Sequence, residues 1–422
     1  MYYLREHRTR RTIREHLFSF RRYSGAEVFY LNVVFGVPWV LERISFDVVV
    51  FHYTFLALKW SPKTFARFRR RWEGRLRRLK GYKIAIPQDE YVYSEQMCAF
   101  FHNVGVETVF TCLPPSEYQK VYPPDKSGLK YYVTVLTGYV DELAAEEWKD
   151  RWLPHTERPV DVGYRARALP YWLGVHGQMK RRLAEVFIQA LEGTGLKVDI
   201  STDPKEVFLE KEWYAFLGRC RVFLGCEGGA SLHDSTGRIR CAVEKCVREH
   251  PEISFEEVRS GCFPGLDGNL QLFAVSPRHF ECCITKTCQA LVEGEYGGIF
   301  KPGIHYIEIK KDFSNVEDVI EKMKDVAYCQ TLAERAYRDI VASGRYTYRR
   351  FVEEILDHVA QVQGTLGREK ESRCWERFGV MFLRIWEHLG FKSLPVLAFF
   401  LHLRRHLGEV MLQILGRNVA KN

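Results

Sequence analysis

Two successive series of short β-rich runs, separated by helical stretches, constrain the fold of this chain more than any other feature. The first series lies between residues 28 and 138, and the second between residues 158 and 326. Apolar runs that alternate with helices are typical of parallel strands covered on both faces. A chain of 422 residues is long enough for two domains. The pattern therefore predicts two doubly wound α/β domains in series, followed by further helices.

The first series predicts strands at 28–35, 46–52, 83–88, 107–112 and 132–137, and helices at 61–80 and 92–103. The second series predicts strands at 160–164, 197–200, 221–225, 289–292 and 305–309. Its predicted helices are 177–192, 206–217, 277–288 and 316–326. The proline at the first turn of the helix at 277 and the serine and asparagine before the helix at 316 are typical helix-start signals.

Positive charge is concentrated near the N-terminus. Residues 1–83 hold 19 Lys/Arg and 6 Asp/Glu, a net charge of +13, whereas the whole chain carries +9. Within them, residues 59–83 hold 11 Lys/Arg and one acidic residue, interleaved with aromatic side chains. A basic helix with an aromatic face can lie on anionic lipid, so this stretch predicts contact with an anionic membrane surface. The alternative is a solvated basic face whose aromatic side chains pack inward.

The cysteines and the apolar runs indicate where the protein works. The 12 cysteines include no CxxC pair and no zinc-type spacing, which favours free thiols in a reducing compartment. The N-terminus has no apolar signal region, and the run 394–403 is too short for a spanning helix of roughly 20 residues. Residues 375–415 predict amphipathic helices that pack on the body or on another subunit, or insert into a membrane surface. We expect a cytoplasmic protein that can lie at the inner face of the membrane.

Polar side chains follow the predicted strands of the first series. In doubly wound sheets, ligands bind outside the carboxyl ends of the strands. His52 ends the second strand, and Asp89 and Glu90 come just after the third. A carboxylate in that position can act as a base. Capping of the next helix is the alternative role for these carboxylates.

The second series places cations and a glycine-rich loop at the same kind of position. Arg165 and Arg167 follow its first strand, where guanidinium groups are suited to phosphate oxygens, and Lys180 lies in the next helix. Because strand residues alternate in direction, we expect at most one of the two arginines to face a given ligand. The loop 224–237 lets backbone approach a ligand closely, and a surface turn is the alternative. Its polar candidates are Glu227, Ser231 and Asp234.

The helix that begins at Pro277 carries the strongest local signal. Its first-turn N–H groups carry partial positive charge, so they can receive a diphosphate. Arg278 adds a formal charge there, and Glu281, about one turn inside, can accept hydrogen bonds from two ribose hydroxyls. Stabilisation of the helix dipole is the alternative role for Glu281. The next strand leads into the flexible loop 293–298.

The segments 161–180, 227–237, 277–315 and 344–352 resemble the GT-B glycosyltransferases. They are most similar to the group-1-type branch that includes CgeB-like spore-coat and lipopolysaccharide-biosynthesis proteins. The resemblance covers residues 28–360 and implies two Rossmann-like domains facing across a cleft. It implies an acceptor domain at 1–150, a donor domain at 151–345, a helix at 346–363 that crosses back to the first domain, and an amphipathic tail at 364–422.

The resemblance also implies roles for individual residues. Glu281 matches the glutamate expected on the donor ribose, and the first glutamate of the Glu-x7-Glu pattern falls at position 273, which is Phe273. The acceptor base of an inverting reaction would be Asp89, then Glu90 or His52. The implied donor-binding residues are Arg165, Arg167, Lys180, Glu227, Ser231, Asp234, Arg278, His279, Glu281, Gly294, Tyr296 and Gly297.

We therefore expect a metal-independent glycosyltransferase that needs no cofactor. It would move a sugar from a nucleotide-diphosphate donor to a hydroxyl of a glycan or lipid-linked glycan of the cell envelope. A non-catalytic sugar-nucleotide-binding or scaffold protein of the same fold is the first alternative, favoured by Phe273. A nucleic-acid-binding protein that uses residues 5–22 and 59–83 is the second, although such proteins usually spread their charge further. An oligomer formed through the tail is also consistent with the sequence.

Overall fold

The structure, a computed structural model, describes residues 1–2, 10–364 and 379–388. Its strands are β1 (Ser45–His52), β2 (Lys80–Ile86), β3 (Thr108–Thr111), β4 (Tyr131–Thr134), β5 (Val160–Arg165), β6 (Val198–Ser201), β7 (Cys220–Gly225), β8 (Gly228–Ala230), β9 (Leu272–Ala274), β10 (Cys288–Val292) and β11 (Ile307–Ile309). Its helices are α1 (Arg11–Tyr23), α2 (Tyr53–Leu56), α3 (Pro62–Arg78), α4 (Ser94–Val104), α5 (Tyr118–Val121), α6 (Pro124–Ser127), α7 (Glu142–Trp148), α8 (Gly174–Ala190), α9 (Glu210–Arg219), α10 (Arg238–Glu249), α11 (Phe255–Cys262), α12 (Pro277–Ile284), α13 (Val316–Lys324), α14 (Val326–Ala336) and α15 (Tyr348–Gln363). Residues 379–388 form a further helix.

The N-terminal sheet is parallel, and each of its strands β1 to β4 pairs with the next one in sequence. Its side chains alternate between two layers. Val49 and Phe51 pack with α3 and α4, whereas Val48 and Val50 pack with α1 and α15. When each new strand is added on the same side of the previous one, right-handed crossover connections place all their helices on one face of the sheet. The other face is therefore covered by α1 and by α15, which returns from the second domain.

The second sheet is also parallel, in the order β11-β10-β7-β5-β6. Strands β7 and β10 are buried along their whole length, as expected of central parallel strands covered on both faces. The direction of strand addition reverses between β5 and β7, and ligands of doubly wound sheets bind at such a reversal. Two Rossmann-like domains about a cleft form the GT-B fold, so the predicted fold class is confirmed.

An insertion between β7 and α12 joins the two domains. It consists of the antiparallel pair β8–β9 with α10 and α11, and its residue Leu272 belongs to the core of the N-terminal domain. The Tyr93 N–H group donates to the Asp234 carbonyl at 3.0 Å, and the Asp234 N–H group donates to the Tyr91 carbonyl at 2.8 Å. The carboxyl end of β2 is therefore tied to the second domain through backbone hydrogen bonds.

The predicted strand at 28–35 is wrong. Val33–Phe35 forms a single 3₁₀ turn that ends at Gly36, with φ of 89°. The Asn32 side chain accepts a hydrogen bond from the Val34 N–H group at 3.3 Å, which favours a turn over a strand. The apolar pattern arises because alternate residues such as Leu31 and Val33 pack in the core without pairing to the sheet.

The basic stretch 59–83 has its aromatic side chains turned inward. Phe65 and Leu76 of α3 are buried, and Phe68 and Trp72 pack against the same core. The aromatic side chains therefore pack inward, as the alternative predicts, and contact of the basic face with an anionic membrane surface stays a prediction. The exposed cations of this face are Lys63, Arg67, Arg70, Arg71, Arg77 and Arg78.

About three turns of the amphipathic tail pack on the N-terminal domain. In the helix 379–388, Leu383 is buried and Trp386 contacts the domain core, while Glu387 pairs with Arg21 at 2.6 Å. The rest of the predicted tail, 365–378 and 389–422, lies outside the described residues, as does 3–9 of the basic N-terminus. Within the described ranges, no helix is both long and apolar enough to cross a membrane.

Candidate active site between the domains

Two adjoining cavities lie at the carboxyl edges of the sheets. The interdomain cavity has a volume of about 750 Å³ and is lined by both domains. The side cavity has a volume of about 270 Å³ and runs along the end of β5. Both are lined by Arg10, Thr12, Lys180, Ser276 and Pro277, so they meet at the start of α12. The larger volume is within the range of small-molecule sites.

The side cavity brings the main predicted donor residues together. Its walls include Arg165 and Arg167 after β5, Lys180 of α8, and Arg278 and Glu281 of α12. These residues are far apart in sequence, and they meet because β5 is the strand at which the sheet order reverses.

Glu281 has one carboxylate oxygen available to a ligand. Its Oε2 accepts a hydrogen bond from Trp213 Nε1 at 2.7 Å, and no residue of the described chain donates to its Oε1. The side chain is only 8% exposed, and this burial raises the pKa of Glu281, while Trp213 and Arg278 act in the opposite direction. The carboxylate can therefore accept hydrogen bonds from hydroxyl groups placed in the side cavity.

Among the four predicted cationic side chains, Arg165 is held in an ion pair within the protein. The other three can bind a ligand. The Arg165 guanidinium is held by Asp199, with 2.5 Å between Nη2 and Oδ1. Arg278 donates to the Arg165 carbonyl oxygen and lies over the Trp213 ring at 5.2 Å from its centre. Arg167 is exposed in the side cavity.

Lys180 lines both cavities, and burial lowers the pKa of its amino group. No hydrogen bond joins this amino group to another part of the described chain. It is therefore available to a ligand that spans the two cavities.

The start of α12 offers fewer free N–H groups than the sequence suggests. Pro277 has none, and the His279 N–H group donates to the Ser276 carbonyl at 3.0 Å. This leaves the Arg278 N–H group as the first-turn donor without a backbone acceptor among the described residues. A Cβ atom on Gly138 would lie 2.7 Å from Pro277 Cγ, so the absence of a side chain there lets the N-terminal domain contact this helix end.

Asp89 is the predicted base that faces the interdomain cavity. It is exposed in the cavity wall and has φ of 55°, a conformation that is uncommon for aspartate and that occurs at functional sites. The buried Lys59 amino group donates to the Gln88 carbonyl at 3.1 Å and to the Asp89 carbonyl at 2.5 Å. Lys59 thereby holds the backbone that presents this carboxylate. The same wall carries the rings of Tyr53, Trp60 and Tyr91.

Glu90 and His52 lie behind the cavity wall and line neither cavity. The Glu90 carboxylate accepts hydrogen bonds from the Thr111 hydroxyl and from the Cys112 N–H group at 2.9 Å, and burial raises its pKa to about 7. The His52 Nε2 atom lies 3.0 Å from Nδ1 of the buried His16, and burial lowers the pKa of His52. The structure thus places one of the three predicted bases at the cavity, because the left-handed turn at Asp89 directs the next residue into the core.

The side chains of Ser231 and Asp234 in the glycine-rich loop form hydrogen bonds that stabilise the loop. Ser231 donates to Asp267 at 2.7 Å. Asp234 accepts from the N–H groups of Gly237 and Arg240, each at 2.8 Å, and so caps α10. Neither side chain lines a cavity, whereas the backbone of Gly228 and Gly229 does, as the sequence predicts for the loop.

The loop after β10 is held by Glu227. The Glu227 carboxylate accepts from the Tyr296 N–H group at 2.7 Å, and burial raises the pKa of this carboxyl. A Cβ atom on Gly294 would lie 2.4 Å from Glu227 Oε2, so glycine is needed there. Tyr296 is buried and Gly297 is exposed, and neither lines a cavity. These four predicted donor residues shape the loop in this structure.

His279 and Phe273 do not face the cavities either. The buried His279 ring lies 2.9 Å from Gln289 Oε1, in the second-domain core. Phe273 is 40% exposed, and its ring packs on that of His176 with 4.3 Å between ring centres. Phe273 therefore lines neither of the two cavities.

Sequence reasoning missed part of the side cavity. Arg10 and Thr12 come from the start of α1, and Phe208, Trp213 and Tyr214 come from α9 and the loop before it. The sequence showed the residues around Arg10 only as a positively charged segment. Nothing in their spacing predicts that they lie close to β5 or α12.

Comparisons with known proteins return structural matches of low sequence identity. No protein-family model and no curated sequence matches this chain. TarM shares 10% identity over 76% of this chain and 57% of its own length, with a TM-score of 0.42, so the match spans less than two thirds of TarM. Sucrose-phosphate synthase from Thermosynechococcus elongatus shares 12% over 75% of this chain and 74% of its own, with a TM-score of 0.36. Anabaena HepE in complex with UDP-glucose shares 8% over 75% and 79%, with a TM-score of 0.34.

Proposed function

We propose that this protein is a glycosyltransferase that binds a nucleoside-diphosphate sugar with its nucleotide in the side cavity. The observation that carries the proposal is the meeting of Arg278, Lys180 and Glu281 at the start of α12, with Asp89 on the facing domain across the adjoining cavity. A cationic group beside a helix start suits a diphosphate, and a carboxylate one turn deeper suits the ribose hydroxyls.

The proposed chemistry uses these groups in the transition state. As the bond between the anomeric carbon and the diphosphate breaks, negative charge grows on the leaving phosphate oxygens. Arg278, Lys180 and the Arg278 N–H group are placed beside the junction of the cavities, where they would stabilise this charge. The reaction we propose uses no metal ion and no cofactor.

The acceptor would occupy the interdomain cavity. If the reaction inverts the anomeric centre, Asp89 would remove the proton from the attacking hydroxyl. The rings of Tyr53, Trp60 and Tyr91 provide apolar surface against which sugar rings can pack. We therefore propose a glycan or lipid-linked glycan as acceptor, and a role in polysaccharide or lipopolysaccharide synthesis of the CgeB-like kind.

We further propose that the basic face of α3 holds the enzyme at the inner, anionic surface of the membrane. Ser61 and Thr64, at the start of this helix, line the interdomain cavity, and Arg67 and Arg70 on the same helix are exposed. Each basic residue near an anionic surface contributes about 1 kcal/mol. A lipid-linked acceptor would then meet the cavity beside the face that contacts the lipid.

A thermal-shift panel of UDP-, GDP-, dTDP- and CMP-sugars tests the donor site. A ligand at 100 times its dissociation constant stabilises the folded state by about 2.7 kcal/mol. Glu281→Gln is the informative variant, because the amide oxygen still accepts the hydrogen bond from Trp213 while the charge is lost. Glu185→Gln, in an exposed ion pair with Arg181, is the matched control.

We expect one nucleotide family to raise the melting temperature of the parent protein and of Glu185→Gln, and to do so much less for Glu281→Gln. A panel in which no nucleotide sugar shifts the melt would reject the proposed function. A full shift in Glu281→Gln would reject the assignment of the donor site.

A further inference from the structure

Arg10 and the first turn of α1 line the side cavity and are anchored on both sides of it. The Arg11 Nε atom pairs with Asp141 at 2.6 Å, and its Nη1 atom pairs with Glu147 of α7 at 2.8 Å. The Tyr348 hydroxyl of α15 donates to the Thr12 carbonyl at 3.2 Å. These contacts fix residues 10–14, which we name the N-terminal strap, against the α7 region and α15.

A third contact ties the strap to the far wall of the side cavity. Arg14 pairs with Glu210, the first residue of α9, at 3.2 Å. Glu210 itself lines the side cavity, as do Arg10, Arg11 and Thr12. The strap therefore forms part of the cavity wall, and its position does not depend on a ligand.

Arg10 differs from its neighbours on the strap because its guanidinium has no partner. It forms no hydrogen bond or ion pair with any residue that the structure describes, and it lines both cavities. Partial burial and the nearby guanidiniums of Arg278 and Arg167 lower the pKa of Arg10, against a smaller opposite effect of Glu281.

The guanidiniums of Arg10, Arg167 and Arg278 line the side cavity, and none of them forms an ion pair with the described chain, although the carboxylates of Asp203, Glu206, Glu210 and Glu281 line the same cavity. Like charges that meet in one cavity repel one another, and an anion placed between them relieves that repulsion. Arg165, on the same strand end, shows the contrasting case, since Asp199 neutralises it. The three guanidiniums of Arg10, Arg167 and Arg278, which form no ion pair with the described chain, therefore favour a ligand with more than one negative charge.

We propose that Arg10 binds the diphosphate of the donor, and that the N-terminal strap completes the nucleotide site from outside the two sheets. This inference rests on the proposed function. An arginine can grip two phosphate oxygens at once, which lysine cannot do with the same geometry. Arg10 also lies where the side cavity opens into the interdomain cavity, so it would hold the phosphates at the junction where the glycosidic bond breaks.

Binding of nucleoside diphosphates and of the matching nucleosides to Arg10→Gln tests this assignment. Calorimetric titrations would use UDP, GDP and dTDP, each beside uridine, guanosine and thymidine, with Arg10→Lys as a second variant. Arg22→Gln is the matched control, since Arg22 lies near the other end of α1 and pairs with Glu15. We expect Arg10→Gln to weaken the preferred diphosphate about 10- to 100-fold and its nucleoside less than twofold.

Arg10→Lys should recover part of the loss, and the apo melting temperature should not fall in either variant, since the Arg10 side chain forms no hydrogen bond or ion pair with the described chain. Equal weakening of diphosphate and nucleoside would overturn the proposal, because it would mean that the strap only supports the cavity. Unchanged diphosphate binding in Arg10→Gln would overturn it as well. Failure of the parent protein to bind any of the nucleotides would instead refute the proposed function.

Discussion

Replacement of Glu90 by glutamine should stabilise the protein above neutral pH without loss of activity. Glu90 is 1% exposed, and burial raises its pKa from 4.5 to about 7. The folded state therefore holds a proton on Glu90 between these two values that the unfolded state releases. The stability that this group contributes is fully present below pH 4.5 and is lost as the pH rises through 7.

The size of the effect follows from the shift in pKa. At 1.36 kcal/mol per pKa unit, a shift from 4.5 to about 7 corresponds to an upper limit of about 3 kcal/mol between pH 4.5 and pH 8. The amide of Glu90→Gln stays neutral, and it can accept from the Cys112 N–H group while donating to the Thr111 hydroxyl. At pH 8 the variant should therefore be more stable than the parent by about 1–3 kcal/mol.

Urea unfolding at pH 5 and pH 8, followed by circular dichroism, measures this difference. Parent and variant should have similar midpoints at pH 5, and the variant should have the higher midpoint at pH 8. The parent protein and Glu90→Gln also test whether Glu90 lies behind the wall of the interdomain cavity. A side chain that does not reach the cavity should not affect the rate of sugar transfer. A variant that is less stable than the parent at pH 8, or one with the same pH dependence, would refute the reasoning.

Two further predictions concern the two sides of the interdomain cavity. Asp89→Asn should lower the rate of sugar transfer about 100-fold or more, because a positioned base contributes at least that much, while the melting temperature stays unchanged. Transfer of a labelled sugar measures this rate, and undiminished transfer would exclude Asp89 as the base. Gly138→Ala should destabilise by about 1–3 kcal/mol and weaken nucleotide binding, because its Cβ would lie 2.7 Å from Pro277 Cγ at the start of α12. Gly261→Ala, where a Cβ meets nothing within 4 Å, is its control in thermal melts, and equal melting of the two variants would contradict the packing argument.

The local pattern was a good guide to the elements of the two sheets. The apolar runs that end at His52 and begin at Lys83 correspond to β1 and β2, and the helix predicted from Pro277 begins where α12 begins. It failed where apolar residues pack without forming a strand, as at 28–35. It also missed the insertion that contains α10 and α11, because their position depends on contacts with the other domain.

The candidate site was predictable only in part. The rule that ligands bind at the carboxyl ends of parallel strands located Asp89 and Arg167, and the helix start at Pro277 located Arg278 and Glu281. All four line a cavity. The same rule also selected Glu90, since it cannot tell which of two adjacent carboxylates faces outward. That distinction depends on the left-handed backbone at Asp89 and on its hydrogen bonds with Lys59.

The alternation of strands and helices by itself determined that the chain forms two parallel α/β domains, because periodicity and strand ends are local properties of the sequence. Tertiary structure alone decided that Leu272 of the insertion joins the core of the N-terminal domain and that Arg10 reaches the end of β5. These placements depend on which buried surfaces and charges meet after residues hundreds of positions apart are brought together, and no local pattern records that.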